Sequence, residues 1–298
     1  PRCVEKLKRK TRPQLYMKKI IVFFGLMVFA SAAAGLSFND LFLSQERGDV
    51  ALVDLSGTIS PSSGGFSSSL TPEQARDLNQ MAVDRNVDAV VYEINSGGGA
   101  VVASKEIRRS IDNLDIPTVC RIRDVGASGA YLLSLGCDSI VADSASTTGS
   151  IGVTSSYIEF SDLMDELGVG YVNVTAGENK EVGSPYKEPT GEEKEILEEK
   201  TDIIGEEFLS DVSEARNLTQ EQKQEVGTGE IFLGSEAIEL GLVDELGGRE
   251  TAIEKAENIT GKNLEPVNLQ QTPSFSVFDL FLSSLEIGSQ SPIKASIN

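Results

Sequence analysis

Histidine is absent from this chain of 298 residues. Because histidine is the general base of Ser-His-Asp and Cys-His enzymes and a frequent metal ligand, its absence excludes those mechanisms and every histidine-ligated metal site. Any hydrolytic chemistry in this protein must therefore use another base. A lysine or a carboxylate is what remains.

Cysteine is also scarce, with only Cys3, Cys120 and Cys137 in the whole chain. None of the three has the spacing of a CxxC motif, so the sequence predicts neither a zinc site nor a disulfide framework. Cys120 and Cys137 fall in apolar segments. We therefore expect two buried free thiols.

Basic residues are few outside the N-terminus. The chain has 26 basic and 46 acidic residues, a net charge of −20. Eight of the basic residues precede residue 20, where Glu5 is the only acid, so the rest of the chain carries 18 basic and 45 acidic residues. A body this acidic repels phosphate backbones and argues against nucleic-acid binding. Adaptation to high salt and ordinary acidic solubility remain equally open explanations.

The stretch 20–37 contains 18 residues without a charge. That is about the minimum length for crossing a bilayer core of roughly 30 Å. The basic segment 1–19 before it predicts a cytoplasmic N-terminus and a body on the other side of the membrane. The run of small residues at 30–34 also fits a signal-peptide cleavage site. We favour an uncleaved transmembrane signal anchor.

After residue 48, short apolar runs alternate with helical patterns. The predicted strands cover 49–55, 87–94, 117–123 and 139–142. The predicted helices cover 71–83, 103–114, a short stretch from 129, 192–214, and a last one from 235. The Ser/Gly-rich run 62–70 is typical of an exposed loop. This alternation predicts an α/β domain with a mainly parallel sheet.

Three glycine-containing loops follow predicted strands, at 94–100, 125–131 and 147–152. The first could be taken for a phosphate loop, but it lacks the Lys-Ser/Thr ending of a P-loop and its surroundings are acidic. The second places Ser128 between small residues at a strand-to-helix turn, which leaves room for a substrate over its hydroxyl. Backbone N–H groups at such a turn can stabilise an oxyanion. The alternative is that Ser128 merely caps the helix.

Five motifs in one order are far more specific than any one loop. They read INSGGG, ASGAYLLS, TTGSIGV, ENKEVGSPYKEPTGEE and AIELGLVDELGG, and they run from about residue 48 to 257. In this combination the chain closely resembles the signal peptide peptidase (SppA) family, in its short form with a single catalytic domain. The resemblance favours the catalytic interpretation of Ser128 over helix capping.

The resemblance implies a role for three side chains. Ser128, in the ASG motif, matches the nucleophile of the family. Lys180, 52 residues downstream, matches its general base. Ser150, in TGSIG, matches the serine that orients the lysine amine.

The resemblance also implies an oxyanion site built from backbone N–H groups. Gly99 and Gly129 match its two donors, and Gly98 belongs to the same loop. Three residues depart from the family pattern: Gly97 replaces a usual proline, Ala100 replaces a common third glycine, and Ala130 replaces the second glycine of the usual ASGG. The change at Gly97 makes the loop less rigid, but neither loop change removes an essential N–H, and the change at Ala130 affects the shape of the pocket more than the chemistry.

A lysine acts as a base only when it is neutral. The ordinary lysine pKa near 10.4 must fall by about 3 for that at neutral pH, at a cost of roughly 4 kcal/mol, which burial can supply. Because carboxylates would oppose the change, we expect Glu178 and Glu181 to point to solvent and Lys180 to point inward. Lys187 is the rival base, but its polar loop favours a surface position.

The family further implies a ClpP/crotonase-like spiral of ββα units, here over residues 48–262. It implies dome-like homo-oligomers in which a neighbouring subunit completes each Ser-Lys dyad. The implied substrates are remnant signal peptides and other short apolar peptides, bound as extended strands after export. No metal or organic cofactor is implied.

Other functions remain open. The chain could be a non-catalytic membrane-associated scaffold on the same fold, although an intact Ser128, Ser150 and Lys180 argue against it. A crotonase-type acyl-CoA enzyme would leave the Ser-Lys pair without a role. A peptidase of the same family that acts on misfolded membrane proteins is harder to distinguish from one that acts on remnant signal peptides. The apolar residues of the tail 263–298 are too few, and their run too short, to span a membrane, so we expect the tail to be a docking segment.

Overall fold

The computed structural model describes residues 50–62 and 69–269. The strands within these ranges are β1 Val50–Ser56, β2 Thr58–Ile59, β3 Ser69–Leu70, β4 Ala89–Ser96, β5 Thr118–Ala127, β6 Ser139–Ala142, β7 Thr147–Gly149, β8 Ile231–Leu233, β9 Glu245–Leu246 and β10 Pro266–Asn268. The helices are α1 Pro72–Asp84, α2 Val101–Asp112, α3 Gly129–Ser134, α4 Ser161–Glu166, α5 Gly191–Ala215, α6 Gln220–Val226, α7 Gly234–Ala237 and α8 Arg249–Thr260. Strands and helices alternate along most of this length, as the sequence predicts.

The main sheet has the strand order β10-β1-β4-β5-β6-β9, and every pair in it is parallel. Strand β7 pairs with the upper part of β5 in parallel, and β8 pairs antiparallel with β7. A separate parallel pair joins β2 to β3. The prediction of an α/β domain with a mainly parallel sheet is confirmed.

Helices cover both faces of the sheet, which explains why most residues of the central strands β1 and β4 are apolar and buried. On one face, α1, α2, α3 and α5 pack over the larger core, which includes Leu55, Tyr92 and Ile122. On the other face, α8 packs Ala252 and Ala256 against the smaller core. Parallel strands buried on both faces leave their carboxyl ends as the open edge for function.

Local sequence sets several helix starts. Thr71 caps α1 and Gln74 returns the bond to the Thr71 N–H, which forms a capping box. The same arrangement begins α5 and α6. Each box satisfies two backbone N–H groups that a helix start leaves unpaired.

A bulge interrupts the pairing of β4 with β5. Ile94 pairs with Ile122, but Ser96 pairs with Gly126, so one β4 residue faces three β5 residues. Above the bulge β5 pairs with β7 instead of β6. The bulge therefore turns the upper end of β5, and the residues that follow it, away from the main sheet.

Cys120 and Cys137 form a disulfide, with their Cα atoms 5.7 Å apart. The expectation of two buried free thiols is therefore wrong. The chain leaves β5, passes through α3 and returns beside β5 before β6 begins. This return brings together two cysteines that the sequence shows only as separated by 17 residues.

Residues 153–190, which we call the arm, are held outside this core. No residue from 152 to 207 is buried. The arm contains large apolar side chains that are nonetheless exposed: Ile158, Leu163, Leu167, Val169, Val172 and Val174. Contacts within the arm, such as the Tyr171 and Tyr186 rings at 5.2 Å, give it local structure without a core.

The predicted segments 1–19 and 20–37 and most of the loop 62–70 lie outside the described residues. Among the residues that are described, no helix is both long and apolar enough to cross a bilayer. The predicted domain end at 262 precedes β10, whose pairing with β1 carries the sheet to Asn268. The remainder of the predicted tail lies beyond residue 269.

Candidate active site

Ser128 stands at the turn between β5 and α3. Its φ of +54° is unusual for a residue with a side chain, and such a conformation persists only where the surroundings impose it. Its N–H donates to the Gly149 carbonyl oxygen at 2.9 Å. Its side chain makes no capping hydrogen bond to α3. The helix-capping explanation of Ser128 therefore fails, and its hydroxyl is left for another use.

The β4 loop lies directly against this turn. A Cβ on Gly98 would stand 2.7 Å from the Gly129 nitrogen and 3.0 Å from Ser128 Cβ. Because Gly98 also has a φ of +97°, glycine is required there on both steric and conformational grounds. The close approach brings the glycine loop and the Ser128 turn together.

Two backbone N–H groups beside Ser128 have no acceptor among the described residues, those of Gly99 and Gly129. A Cβ on Gly129 would lie 3.3 Å from the Gly99 nitrogen, so the two groups are neighbours. The Gly98 N–H differs, since it donates to Ser96 Oγ at 3.1 Å. Of the three predicted oxyanion residues, two present free donors and the third shapes the loop.

Ser150 follows the neighbouring strand β7. Its φ of +51° repeats the unusual backbone of Ser128, and its N–H donates to the Glu230 carbonyl oxygen at 2.8 Å. Because Gly149 accepts the Ser128 N–H, the two serines stand at adjoining strand ends. The chain thus brings Ser128, Ser150 and the glycine loop into one place.

Lys180 is not brought there within one chain. It lies on the arm, where its N–H closes a turn with Gly177, and its side chain is exposed. No hydrogen bond joins it to Ser128 or Ser150 among the described residues. Glu178 is exposed, as expected, but the other two expected orientations are reversed in the single chain, because Glu181 is half-buried while Lys180 faces solvent. An arm without a core cannot bury a lysine by itself.

Lys187 is half-buried and forms an ion pair with Glu193. The hydrogen bond that Lys187 donates to Glu193 raises the pKa of Lys187, and the charge of Glu181 adds to the effect. A lysine held protonated in this way is a poor general base. The surface position expected for Lys187 is only partly correct, since Glu193 covers it.

A small apolar cavity of about 20 Å³ adjoins Ser128. Its apolar lining comes from Val101, Leu132, Val153 and Phe208. A cavity of this size can hold one water molecule. Phe208, which closes the cavity from α5, gave no signal in the sequence because its contact depends on how α5 packs.

Two acidic residues elsewhere, Glu93 and Asp244, have structural partners. Burial alone would raise the pKa of Glu93, but hydrogen bonds from Arg249 and Arg121 hold it below the ordinary value. Burial acts in the same direction on Asp244, where hydrogen bonds from Arg216 and from the Ile140 N–H lower the pKa instead. These carboxylates fix elements to the sheet and lie outside the Ser128 turn.

Comparison with known proteins identifies the family of the chain. The family model described as Peptidase family S49 matches residues 112–264. A provisionally named protease of Synechocystis is 32% identical over 230 residues, which cover 76% of this chain and 80% of that protein. A provisionally named signal peptide peptidase of Enterococcus faecium is 36% identical over 180 residues, or 59% of this chain.

The matches differ in how much of each relative they cover. The chain spans 52% of the Enterococcus faecium protein, and 63% of a provisionally named protease of Methanocaldococcus jannaschii to which it is 35% identical. Among solved structures, a ClpP1 N165D mutant from Listeria monocytogenes has a TM-score of 0.45 at 16% identity, covering 67% of this chain and 92% of that one.

Proposed function

Since the chain belongs to Peptidase family S49 and is a serine peptidase, as its sequence predicts, we propose that it is a membrane-anchored endopeptidase that cleaves remnant signal peptides and other short apolar peptides after export. The observation that carries the proposal is the Ser128 turn. A strained serine with an uncommitted hydroxyl stands beside the two free N–H groups of Gly99 and Gly129.

In this mechanism Ser128 Oγ attacks the carbonyl carbon of the scissile bond while the neutral amine of Lys180 accepts the hydroxyl proton. The Gly99 and Gly129 N–H groups donate to the oxyanion that forms. The lysine then gives its proton to the leaving amine, and water hydrolyses the acyl-enzyme by the same route. Ser150 orients the lysine amine.

The lysine is supplied by a neighbouring copy of the chain, in a homo-oligomer. The arm supports this, because its exposed apolar side chains need a partner, with Val172 and Val174 at 88% and 93% exposure. Packing the arm against a second copy would remove water from the Lys180 amine and favour its neutral form. An isolated chain would then be inactive.

The substrate side chain beside the scissile bond is small. The cavity next to Ser128 is small and its lining is mostly apolar, which favours a small apolar side chain at this position. Small residues near the cleaved bond are compatible with short apolar peptides of the kind that signal peptides supply.

The peptidase domain faces a compartment outside the cytoplasm, with residues 20–37 as its anchor. The Cys120–Cys137 disulfide supports this location, because disulfides persist mainly in oxidising compartments. This support from the disulfide is independent of the charge pattern around the anchor.

The test is hydrolysis of an unstructured peptide rich in alanine by the full chain in detergent, at high and low salt. Wild type should cleave, Ser128→Ala and Lys180→Ala should fall to background while still assembling, and Lys187→Ala should keep its activity. If Lys187→Ala rather than Lys180→Ala abolishes cleavage, the base is wrongly assigned. If the assembled wild type cleaves none of several such peptides, a non-catalytic scaffold is favoured.

A further inference from the structure

The β5 bulge lies three residues before Ser128 and leaves backbone groups without strand partners. Three side chains bond to the backbone of the bulge and of the paired residues on either side of it, Ile122 and Gly126. Asn95 Oδ1 accepts the Val125 N–H at 3.2 Å, and Thr148 Oγ1 donates to the Gly126 carbonyl oxygen at 2.7 Å. Ser146 Oγ donates to the carbonyl oxygens of Ile122 and Arg123, with Arg123 as the nearer acceptor. We call Asn95, Ser146 and Thr148 the bulge clamp.

The clamp connects both halves of the oxyanion site. Asn95 is the β4 residue that faces the bulge, and the chain continues from it to the donor at Gly99. Its own carbonyl oxygen accepts the Gly57 N–H at 3.1 Å, which holds the β1–β2 turn beside the loop. Its side chain holds Val125, from which the chain continues to Ser128. One residue thus sets the distance between the donor loop and the nucleophile.

Burial makes these bonds costly to lose. Ser146 is 2% exposed and Thr148 is fully buried, so water cannot replace their hydrogen bonds. Thr148 also stands one residue before Gly149, whose carbonyl oxygen accepts the Ser128 N–H. A shift of β7 would therefore pass directly to the nucleophile.

We propose that the bulge clamp is a set of positioning residues that holds Ser128 in register with the Gly99 and Gly129 donors. The inference rests on the proposed function, since it assumes that Ser128 is the nucleophile. Its residues do not touch the substrate. They act through the backbone on which the reacting hydroxyl and the oxyanion donors are mounted, and displacements of about 1 Å there cost on the order of 100-fold in rate.

The test compares Thr148→Val with Thr148→Ser in the full chain in detergent. Valine keeps the shape and removes the hydroxyl, whereas serine keeps the hydroxyl and removes a methyl group. We expect Thr148→Val to lower kcat about 10-fold or more with KM changed less than about 2-fold, and Thr148→Ser to stay within about 3-fold of wild type. Asn95→Leu should lower kcat similarly.

A fluorophosphonate probe gives a second readout that does not depend on the peptide. Ser128 Oγ displaces fluoride from phosphorus, an O–P bond forms as the P–F bond breaks, and the hydroxyl proton passes to the base. The labelling rate of Thr148→Val and Asn95→Leu should fall in parallel with kcat. The thermal midpoint of each variant, measured by circular dichroism, shows that the protein stays folded at the assay temperature.

Several results would overturn the clamp. Unchanged kcat in Thr148→Val would do so, as would equal losses in both Thr148 variants, because the methyl group would then matter instead of the hydroxyl. If Thr148→Val and Asn95→Leu unfold while Thr148→Ser stays folded, the hydrogen bonds of the clamp serve stability alone. If the probe labelled Ser128→Ala as fast as it labels wild type, the proposed function itself would be contradicted.

Discussion

The strand ends that carry Ser128 and the arm that carries Lys180 differ in how much of the chain supports them. Around Ser128 the backbone is held by three neighbouring strands, and even an unfavourable φ is maintained. Around Lys180 no residue is buried until Phe208 in α5. In the proposed mechanism the oxyanion half of the site can therefore form within one chain, whereas Lys180 needs a contact that covers the arm.

The largest expected effect comes from mixing two inactive variants. Ser128→Ala and Lys180→Ala each lack half of the dyad, but in a ring of mixed subunits a site can combine Ser128 of one copy with Lys180 of the next. Random co-assembly of equal amounts should restore about a quarter of wild-type activity, because each site needs the right variant at two positions. Activity is measured on the alanine-rich peptide after dissociation and reassembly.

The control for that experiment is the double variant with both substitutions, mixed with wild type in the same way. Activity that stays at background in the first mixture would place both residues in one subunit, and the comparison between strand ends and arm would have to be abandoned.

Gly98→Ala should lower kcat on the order of 100-fold, since the added Cβ would press on the Gly129 nitrogen and φ is +97°. Gly97→Ala is the matched control one residue away, because its added Cβ meets nothing within 4 Å. Peptide hydrolysis by both variants gives the comparison. Equal activity of the two would show that the close approach of the loop to Ser128 has no catalytic role.

Replacing exposed apolar side chains of the arm by polar ones should weaken the association of subunits rather than the folding of each chain. Val172→Ser together with Val174→Ser removes two fully exposed apolar side chains, and we expect association to weaken by about 10- to 100-fold. Activity should fall with the oligomer, as followed by analytical ultracentrifugation in detergent across a concentration series. Val102→Ser, at a residue that is 67% exposed on α2, serves as the control. An oligomer that survives the arm variant would mean that another surface covers Lys180.

The same contrast explains what the sequence could predict. Strands and helices follow from local patterns, so the predicted 139–142 strand and the predicted helix at 192–214 agree with β6 and α5 to within a residue or so. Ser128, Ser150 and Gly99 come together because parallel strands end at one edge. Contacts between distant segments have no local signal, which is why the Cys120–Cys137 disulfide was not expected. In the proposed mechanism the orientation of Lys180 depends on a neighbouring copy, and no pattern within the chain encodes such a contact.

The last test of the contrast substitutes Glu93, where we expect the smallest effect on activity and measure the stability instead. This side chain is 5% exposed and accepts hydrogen bonds from Arg121 and Arg249, which hold its pKa below the ordinary value. A depressed pKa in the folded state contributes stability that is fully present above the unfolded pKa of about 4.3 and is lost as the pH falls through the folded pKa.

Glu93→Gln should therefore lower the free energy of unfolding by about 2 kcal/mol at pH 7 and by less near pH 3. Urea unfolding followed by circular dichroism at both values measures the difference. Glu178→Gln, on the exposed arm, is the control and should change stability little at either pH. A Glu93→Gln effect that is the same at both pH values would mean that its charge does not hold α8 to the sheet. If instead Glu178→Gln matched Glu93→Gln, the arm would be as firmly held as the strand ends, and the contrast between them would be lost.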